Sequence, residues 1–190
     1  MNQRERAKWD QRHREGSPGA PEPSLVELLP LIPTGLTLDV AAGSGRHAIA
    51  MARAGHRVVA ADFSAVAMRQ LDKIARADGL PITPIVVDLE DALPFRRGHF
   101  DCIVNVSFLD RALVPHLKKL LRIGGTLFFD TFLIDQATLG HPRDPRFLLK
   151  HNELREMLSE MELISYHEGL VHYSSEKRAW RATVLARRRA

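Results

Sequence analysis

The sequence predicts an α/β fold: a mostly parallel seven-stranded sheet with helices on both faces and an antiparallel last strand. Three observations predict this fold. Apolar strand-like runs alternate with amphipathic helical segments from residue 36 onward, a small-residue turn follows the first run, and an aspartate lies at the end of each of the first three strands. Repeated strand–helix units form parallel sheets covered by helices. Ligands of such sheets bind outside the carboxyl ends of the strands.

The first strand–turn–helix unit is the centre of the predicted site. A strand at 36–40 runs into Ala41-Ala42-Gly43-Ser44-Gly45, and a helix begins at once with Arg46. The first turn of a helix has backbone N–H groups without partners, which favours a polar ligand there. Gly43 and Gly45 lack Cβ, so a ligand can approach the backbone closely. A turn of this kind indicates a nucleotide-like cofactor.

The other elements follow in regular order along the chain. Ser24 is a predicted N-cap of a short helix and Ser64 of a longer one, and Asn152 opens a third. Another helix is predicted at 113–121. Further strands are predicted at 56–61, 82–87, 100–106, 126–132, 162–168 and 180–188. Few residues connect the last two strands, which are therefore predicted to be antiparallel.

Composition indicates an ordinary globular protein of one domain. The chain has 190 residues, of which 45% are hydrophobic and 26% charged. Its one cysteine, Cys102, lies in an apolar strand and excludes an internal disulfide. No signal peptide or apolar run of membrane-spanning length is evident, so we expect a cytoplasmic location and no membrane association. The histidines show no ligand spacing, and we expect no metal.

The net charge of +4 raises the question of a nucleic-acid partner. The basic residues are scattered over nearly every element, and the one dense run is Arg187-Arg188-Arg189. A binding face needs a basic stripe with interleaved aromatic residues, which the sequence lacks. We therefore expect no nucleic-acid partner. The sequence gives no indication of the oligomeric state.

Two cofactors compete for the glycine turn. Gly43-x-Gly45-x-x-Ala48 fits the dinucleotide pattern, with Asp62 at the spacing of a ribose-binding acid. Tyr173-x-x-x-Lys177 also has the spacing found in short-chain dehydrogenases, although it lies between the two terminal strands and is predicted to be a hairpin loop. Asp39 favours S-adenosylmethionine instead, because a carboxylate beside the turn opposes a pyrophosphate but suits an ammonium and a sulfonium.

The ordered set of motifs resembles class I S-adenosylmethionine-dependent methyltransferases over residues 34–190. A narrower resemblance is to the tellurite-resistance and thiopurine-methyltransferase-like group. The wider one rests on 39–45, Asp62, Asp88, 100–104 and 122–125; the narrower one rests on 9–13, 45–47, 109–111, 130–132 and 152–154. Ala41 departs from the wider family, which usually has glycine at that position. The resemblance implies a Rossmann-like fold, S-adenosylmethionine as cofactor and S-adenosylhomocysteine as product.

The resemblance also implies which residues hold the cofactor. The glycine turn would line the methionine moiety through backbone atoms, and Asp62 would accept both ribose hydroxyls. Phe63 would pack on adenine, and Asp88 would accept its amino group. The full set of expected cofactor residues is Asp39, Ala41, Gly43, Ser44, Gly45, Arg46, Asp62, Phe63, Asp88, Leu89 and Asn105.

The expected acceptor is a small nucleophile such as a thiol or an oxyanion, for which alignment matters more than a general base. The sequence identifies no catalytic residue. Substrate-facing candidates are Trp9, His13, Phe108, Arg111, Thr131 and Arg143. We expect residues 1–23 to be an N-terminal arm and proline-rich tether, with 4–15 as a helical lid, and 24–190 to be the cofactor-binding domain. Two alternatives stay open: an NAD(P)-binding oxidoreductase, and a non-catalytic S-adenosylmethionine-binding module.

Overall fold

The computed structural model of the chain describes residues 9–11, 13, 18–89 and 93–190. Residues 9–11 and 13 are helical. The strands are β1 (Leu36–Val40), β2 (Arg57–Asp62), β3 (Ile82–Val86), β4 (Phe100–Val106), β5 (Leu121–Phe132), β6 (Glu162–His172) and β7 (Arg178–Arg187). The α-helices are α1 (Pro23–Leu28), α2 (Arg46–Arg53), α3 (Ala65–Ala77), α4 (Val114–Leu120), α5 (Gln136–Leu139) and α6 (Glu153–Met157). Short 3-10 helices occupy Leu29–Leu31 and Pro145–Phe147.

The seven strands form one sheet in the order β3-β2-β1-β4-β5-β7-β6. β1 to β5 pair in parallel, whereas β7 is antiparallel to both β5 and β6. The predicted fold class is therefore confirmed, including the antiparallel last strand. The strand order reverses between β1 and β4, which is where an open α/β sheet binds its ligand.

Apolar side chains cover both faces of the sheet. Leu38, Ile103 and Phe129 belong to a buried cluster under α4 and α6. Ala60, Val104 and Phe128 belong to a second cluster under α1, α2 and α3. Because both faces are buried, a ligand can reach the parallel strands at their carboxyl ends rather than on a face of the sheet. The loops at those ends form the candidate site.

Several element boundaries differ from the predicted ones. β5 begins at Leu121 rather than 126, because Leu121 already pairs with Phe100 before a register shift in the ladder. α1 begins at Pro23, and the Ser24 hydroxyl donates to Asp130 instead of capping the helix. The predicted cap at Ser64 is confirmed, since its Oγ accepts the Ala67 N–H at 3.2 Å.

The basic C-terminal run is partly tied into the fold. Arg187 pairs with Glu162 at 3.2 Å, and the Arg188 guanidinium donates to the carbonyls of Lys119 and Leu121. These contacts engage two of the three arginines with the protein itself. No helix in the described parts of the chain is long and apolar enough to cross a membrane.

Candidate functional site

The glycine turn after β1 has three residues in the left-handed region: Ala41 at φ 54°, Gly43 at φ 53° and Gly45 at φ 83°. A Cβ on Gly45 would lie 2.4 Å from Cδ1 of Leu71 on α3, so glycine is required there for packing as well as for its φ. Ala41 carries its methyl in the same strained region. The turn closes as the sequence predicts, with alanine tolerated at its first position.

Asp39 lies at the carboxyl end of β1 and is 1% exposed. Neither of its carboxylate oxygens has a hydrogen-bond partner among the described residues. Burial raises the pKa of Asp39 to about 7, against a smaller lowering effect of the nearby Ala48 backbone N–H; the Asp62 carboxylate raises it further and Arg46 lowers it. A buried carboxylate without a partner costs free energy, which a cationic ligand would recover.

Asp62 lies at the end of β2 and fixes the glycine turn from the side. Its two oxygens accept the backbone N–H groups of Gly43 and Ser64, both at 2.8 Å. Phe63 and Leu89 are buried nearby at the ends of β2 and β3, with exposures of 8% and 3%. Asp88 is half-buried just after β3. All four predicted residues therefore lie at one edge of the sheet, beside β1.

Arg46 and Asn105 are also at this edge, and both have protein partners. The Arg46 guanidinium is 3.8 Å from the Glu22 carboxylate and donates to the Ala20 carbonyl at 3.3 Å. Asn105 is 1% exposed, and its amide donates to the carbonyl of Phe108 at 2.8 Å. The Asn105 amide thus shapes the loop after β4, and Phe108 is half-buried in that loop.

The N-terminal helical residues contact the glycine turn. His13 Nδ1 lies 3.1 Å from Ser44 Oγ, and its ring would be 3.1 Å from a Cβ placed on Gly43. Asp10 accepts a hydrogen bond from the Ser64 hydroxyl. The Trp9 and His13 rings stack with centroids 6.0 Å apart. The predicted arm at 4–15 lies partly outside the described residues, but its described members meet the site at two points.

The remaining substrate candidates differ in burial and in their contacts. The Arg111 guanidinium binds Glu153 and donates to the carbonyls of Arg146 and Leu148, at 2.9 and 2.8 Å, so it holds the loop after β5. Thr131 is 1% exposed, and its hydroxyl has no partner among the described residues. Arg143 is exposed in the loop after β5. Arg111 thus holds the loop in place, and the structure does not present its guanidinium as a free substrate-binding group.

Sequence reasoning missed a polar cluster beside the turn, which is buried except for the half-buried Tyr173 and the exposed Ser107. We call it the Arg181 cluster: Glu22, Ser107, Asp130, Tyr173, Arg181 and Thr183. The Arg181 guanidinium is 3% exposed and binds the Asp130 carboxylate and the Ser107 hydroxyl. Burial alone would lower the pKa of Arg181, but Asp130 and Glu22 more than offset it and hold the pKa above its ordinary value. The one signal in the sequence was a charged residue within the apolar strand 179–186.

His47 and Cys102 are buried, and burial favours the uncharged form of each side chain. Burial, with the positive charges of Arg46 and Arg181, lowers the pKa of His47 to about 3, so the ring is neutral. Burial raises the pKa of the Cys102 thiol to about 12. Within the described ranges, no three histidine, cysteine, aspartate or glutamate side chains come together as metal ligands.

Comparisons with known proteins identify the domain. Residues 37–125 match the family model described as a methyltransferase domain. The chain is 35% identical over 105 residues to a demethylmenaquinone methyltransferase from Thermobifida fusca, and 32% identical over 111 residues to a ribosomal protein L11 methyltransferase from Thermus thermophilus. These matches cover 51% and 57% of this chain but only 43% of each relative.

Solved structures match over more of the chain. TehB from Haemophilus influenzae superposes with a TM-score of 0.74 at 22% identity, covering 89% of this chain and 63% of TehB. A protein from work on the conversion of a disulfide bond into a thioacetal group during echinomycin biosynthesis gives 0.75 at 22% identity, covering 97% of this chain and 93% of that one. A Methanosarcina mazei structure described as a SAM-dependent methyltransferase gives 0.71 at 18% identity, covering 90% and 99%.

These comparisons agree with the geometry of the sheet. The antiparallel β7 inserted between β5 and β6 is absent from the 3-2-1-4-5-6 order of dinucleotide-binding folds. Tyr173 and Lys177 face each other across the β6–β7 hairpin, as predicted, with a backbone hydrogen bond of 2.8 Å. S-adenosylmethionine is accordingly the cofactor that the methyltransferase match indicates, and the wider resemblance is confirmed; the likeness to TehB shows a shared fold. Residues 37–125 of the chain thus match a methyltransferase domain, and the chain has the fold of class I S-adenosylmethionine-dependent methyltransferases.

Proposed function

We propose that this protein transfers the methyl group of S-adenosylmethionine to a small nucleophile such as a thiol or an oxyanion. The observation that carries the proposal is Asp39, a buried carboxylate with no hydrogen-bond partner in the described part of the chain, beside a left-handed glycine turn. Such a group suits the ammonium and sulfonium of the cofactor. The acceptor class is supported by the nearly full-length structural similarity to the protein from work on the conversion of a disulfide bond into a thioacetal group.

The cofactor residues predicted from sequence fit a single ligand lying along the carboxyl edge of β1, β2 and β3. The backbone of Gly43, Ser44 and Gly45 would line the methionine part, with Asp39 at its cationic end. Asp62 would take the ribose hydroxyls while still holding the Gly43 N–H. Phe63, Asp88 and Leu89 would surround the adenine. Each assignment follows from the order of the strands, because neighbouring carboxyl ends meet at one edge.

The bound cofactor supplies an electrophilic methyl group, and the protein has to align an acceptor with it and exclude water. Asn105 lies near the end of β4 and Ser107 directly follows the strand, at the point where the sheet reverses, so both would border the acceptor side. His47 is too weakly basic to act as a general base at neutral pH. We accordingly assign no catalytic residue. We propose that the acceptor attacks the methyl group through an atom that is already anionic or has a free lone pair, so that no base has to remove a proton.

Cofactor binding is the first test. We expect S-adenosylhomocysteine to raise the melting temperature of the protein, and NADH and NADPH to leave it unchanged. Asp62→Asn should reduce the shift strongly, because one oxygen can no longer serve both the turn and the ribose. Asp72→Asn is the matched control, since Asp72 is a surface carboxylate on α3 that pairs with Arg76. Stabilisation by NADH alone would contradict the proposal and favour the oxidoreductase.

Methyl transfer separates an enzyme from a non-catalytic binding module. We expect label from methyl-labelled S-adenosylmethionine to pass to at least one member of a panel of thiols, amines and oxyanions. Binding of S-adenosylhomocysteine without transfer to any of them would favour the module.

We further propose that residues 1–23 form an arm whose helical part closes over the cofactor. His13 and Asp10 already contact Ser44 and Ser64, which flank the two ends of the predicted ligand. Trp9, which is 36% exposed, stacks on His13 and would move with it. An arm seated there would shield the transferred methyl from water.

Tryptophan fluorescence tests the arm. The chain has two tryptophans, so in Trp180→Phe only Trp9 reports. We expect S-adenosylhomocysteine to change the Trp9 spectrum and His13→Ala to weaken that response. Deletion of residues 1–16 should lower turnover more than cofactor affinity. An unchanged spectrum together with full activity of the shortened protein would remove support for the arm.

A further inference from the structure

Ser107 has an unusual backbone conformation for its residue type. It follows β4, whose last five residues are all buried, yet Ser107 itself is exposed. Its φ is +56°, in the left-handed region that side-chain-bearing residues other than asparagine and aspartate rarely adopt. Strain of this kind persists only where the surrounding structure imposes it, and it concentrates at functional sites.

Two hydrogen bonds impose this conformation. The Ser107 backbone N–H donates to the Asp130 carbonyl at 2.8 Å. The Arg181 Nη2 donates to Ser107 Oγ at 3.0 Å. Asp130 and Arg181 lie on neighbouring strands, β5 and β7, and are joined by a buried ion pair. The strained residue is thus held from two strands of the rigid sheet.

The same arginine reaches toward the cofactor turn. Its Nε lies 4.0 Å from the Glu22 carboxylate, which is 3.8 Å from Arg46, the first residue after the turn. Glu22 also accepts the Tyr173 hydroxyl from the β6–β7 hairpin. β1 and β4 are in register, with Val40 opposite Asn105, so Ser107 lies across the switch point from the glycine turn. Arg181 therefore connects the two segments that border the reacting centre.

We propose that Arg181 is a positioning residue for methyl transfer, acting by holding Ser107 in its left-handed conformation on the acceptor side of the bound cofactor. The proposal rests on the proposed function. Arg181 itself does not contact the acceptor, because its guanidinium is 3% exposed and engaged by Asp130, Ser107 and the Phe132 ring, whose centroid lies 4.4 Å from its Cζ. Small displacements of an aligned acceptor lower the rate strongly while binding elsewhere is unaffected.

The chain offers substitutions that separate position from chemistry. Ser107→Ala removes the hydroxyl that Arg181 holds, while its Cβ still disfavours the left-handed conformation. The backbone at residue 107 should therefore leave that conformation, and methyl transfer to dithiothreitol or tellurite should fall at least 10-fold. Ser107→Gly also removes the hydroxyl but adopts the left-handed conformation without an anchor. We therefore expect Ser107→Gly to lose at least 3-fold less rate than Ser107→Ala, and Arg181→Met to cost much less in the Ser107→Gly background than in the original protein. The dissociation constant of S-adenosylhomocysteine should change by less than about 3-fold throughout.

Thr183→Val is the matched control, because the Thr183 hydroxyl donates to Asp130 without touching Ser107. It should lower the melting temperature and leave the rate unchanged. An equal loss of rate in Ser107→Gly and Ser107→Ala, or in Thr183→Val, would overturn the proposal. The backbone NMR shifts of residue 107 provide a readout independent of any acceptor: they should leave the left-handed range in Arg181→Met, and their persistence there would also overturn it. If the unmodified protein transfers no methyl group, the proposed function fails while these shifts still test the role of Arg181.

Discussion

Asp39→Asn is expected to stabilise the ligand-free protein at neutral pH and to abolish its response to S-adenosylhomocysteine. The two effects have one cause. The Asp39 carboxylate is buried and has no hydrogen-bond partner among the residues that the structure describes, so its negative charge costs free energy until a cation binds. Asparagine has nearly the same shape and no charge, and it removes both the cost and the attraction for the cofactor's ammonium.

The pH dependence distinguishes this mechanism from a simple packing effect. The pKa of Asp39 is about 7 in the folded protein and 3.8 in its ordinary state. Below about pH 4 Asp39 is protonated in both the folded and the unfolded protein, so Asp39→Asn is no more stable than the original protein. Between about pH 4 and 7 the unfolded chain ionises first, so the original protein loses stability as the pH rises. Above pH 7 the loss is complete, on the order of 4 kcal/mol at about 1.4 kcal/mol per pH unit.

Thermal unfolding at pH 4.5 and pH 8 measures this difference. The melting temperature of Asp39→Asn should exceed that of the original protein by roughly 5–10 °C at pH 8 and by little at pH 4.5. In the original protein, affinity for S-adenosylhomocysteine should fall as the pH drops below 7, because binding requires the ionised carboxylate. Asp62→Asn is the control: it should not stabilise at either pH, because both Asp62 oxygens accept backbone N–H groups. Equal stabilisation at both pH values would refute the charge mechanism.

The sequence predicted the fold and the meeting of the candidate cofactor residues at one edge of the sheet, because both depend on local patterns. The strand–turn–helix at 36–53 combines an apolar run, two glycines and a helical face within a short stretch. Asp62 and Asp88 were placed correctly at the edge because parallel strands bring their carboxyl ends together whatever the side-chain details. Gly43 and Gly45 were expected to allow close approach of a ligand, and the structure also places both in the left-handed region.

The acceptor side was predicted less well, because its contacts join distant parts of the chain. Arg181 and Asp130 are 51 residues apart, and Tyr173 and Glu22 are 151 apart. Their pairing depends on β7 inserting between β5 and β6, which no local pattern specifies. Arg111 was expected to face the substrate, but the loop after β5 presents Glu153 and two carbonyls that engage its guanidinium. A surface arginine carries no sequence signal for such partners.

Gly45→Ala is expected to be the most damaging single-methyl change in the cofactor turn. The residue lies at φ +83°, where an alanine side chain costs about 1–2 kcal/mol. Its new Cβ would also lie 2.4 Å from Cδ1 and 2.7 Å from Cδ2 of Leu71, which is fully buried on α3. Crowding of this kind in a packed core costs typically a further 1–3 kcal/mol. The turn must shift, and the backbone that lines the cofactor shifts with it.

Gly79→Ala separates the two contributions. Gly79 has φ +63°, but a Cβ there meets nothing within 4 Å, so only the backbone cost applies. Urea unfolding should therefore show a loss of about 1–2 kcal/mol for Gly79→Ala and roughly 2–5 kcal/mol for Gly45→Ala. Calorimetry should show S-adenosylhomocysteine binding unchanged in Gly79→Ala and at least 10-fold weaker in Gly45→Ala. Equal losses of stability in the two variants would mean that Leu71 yields to the new methyl group, and unchanged cofactor affinity in Gly45→Ala would mean that the turn does not line the ligand.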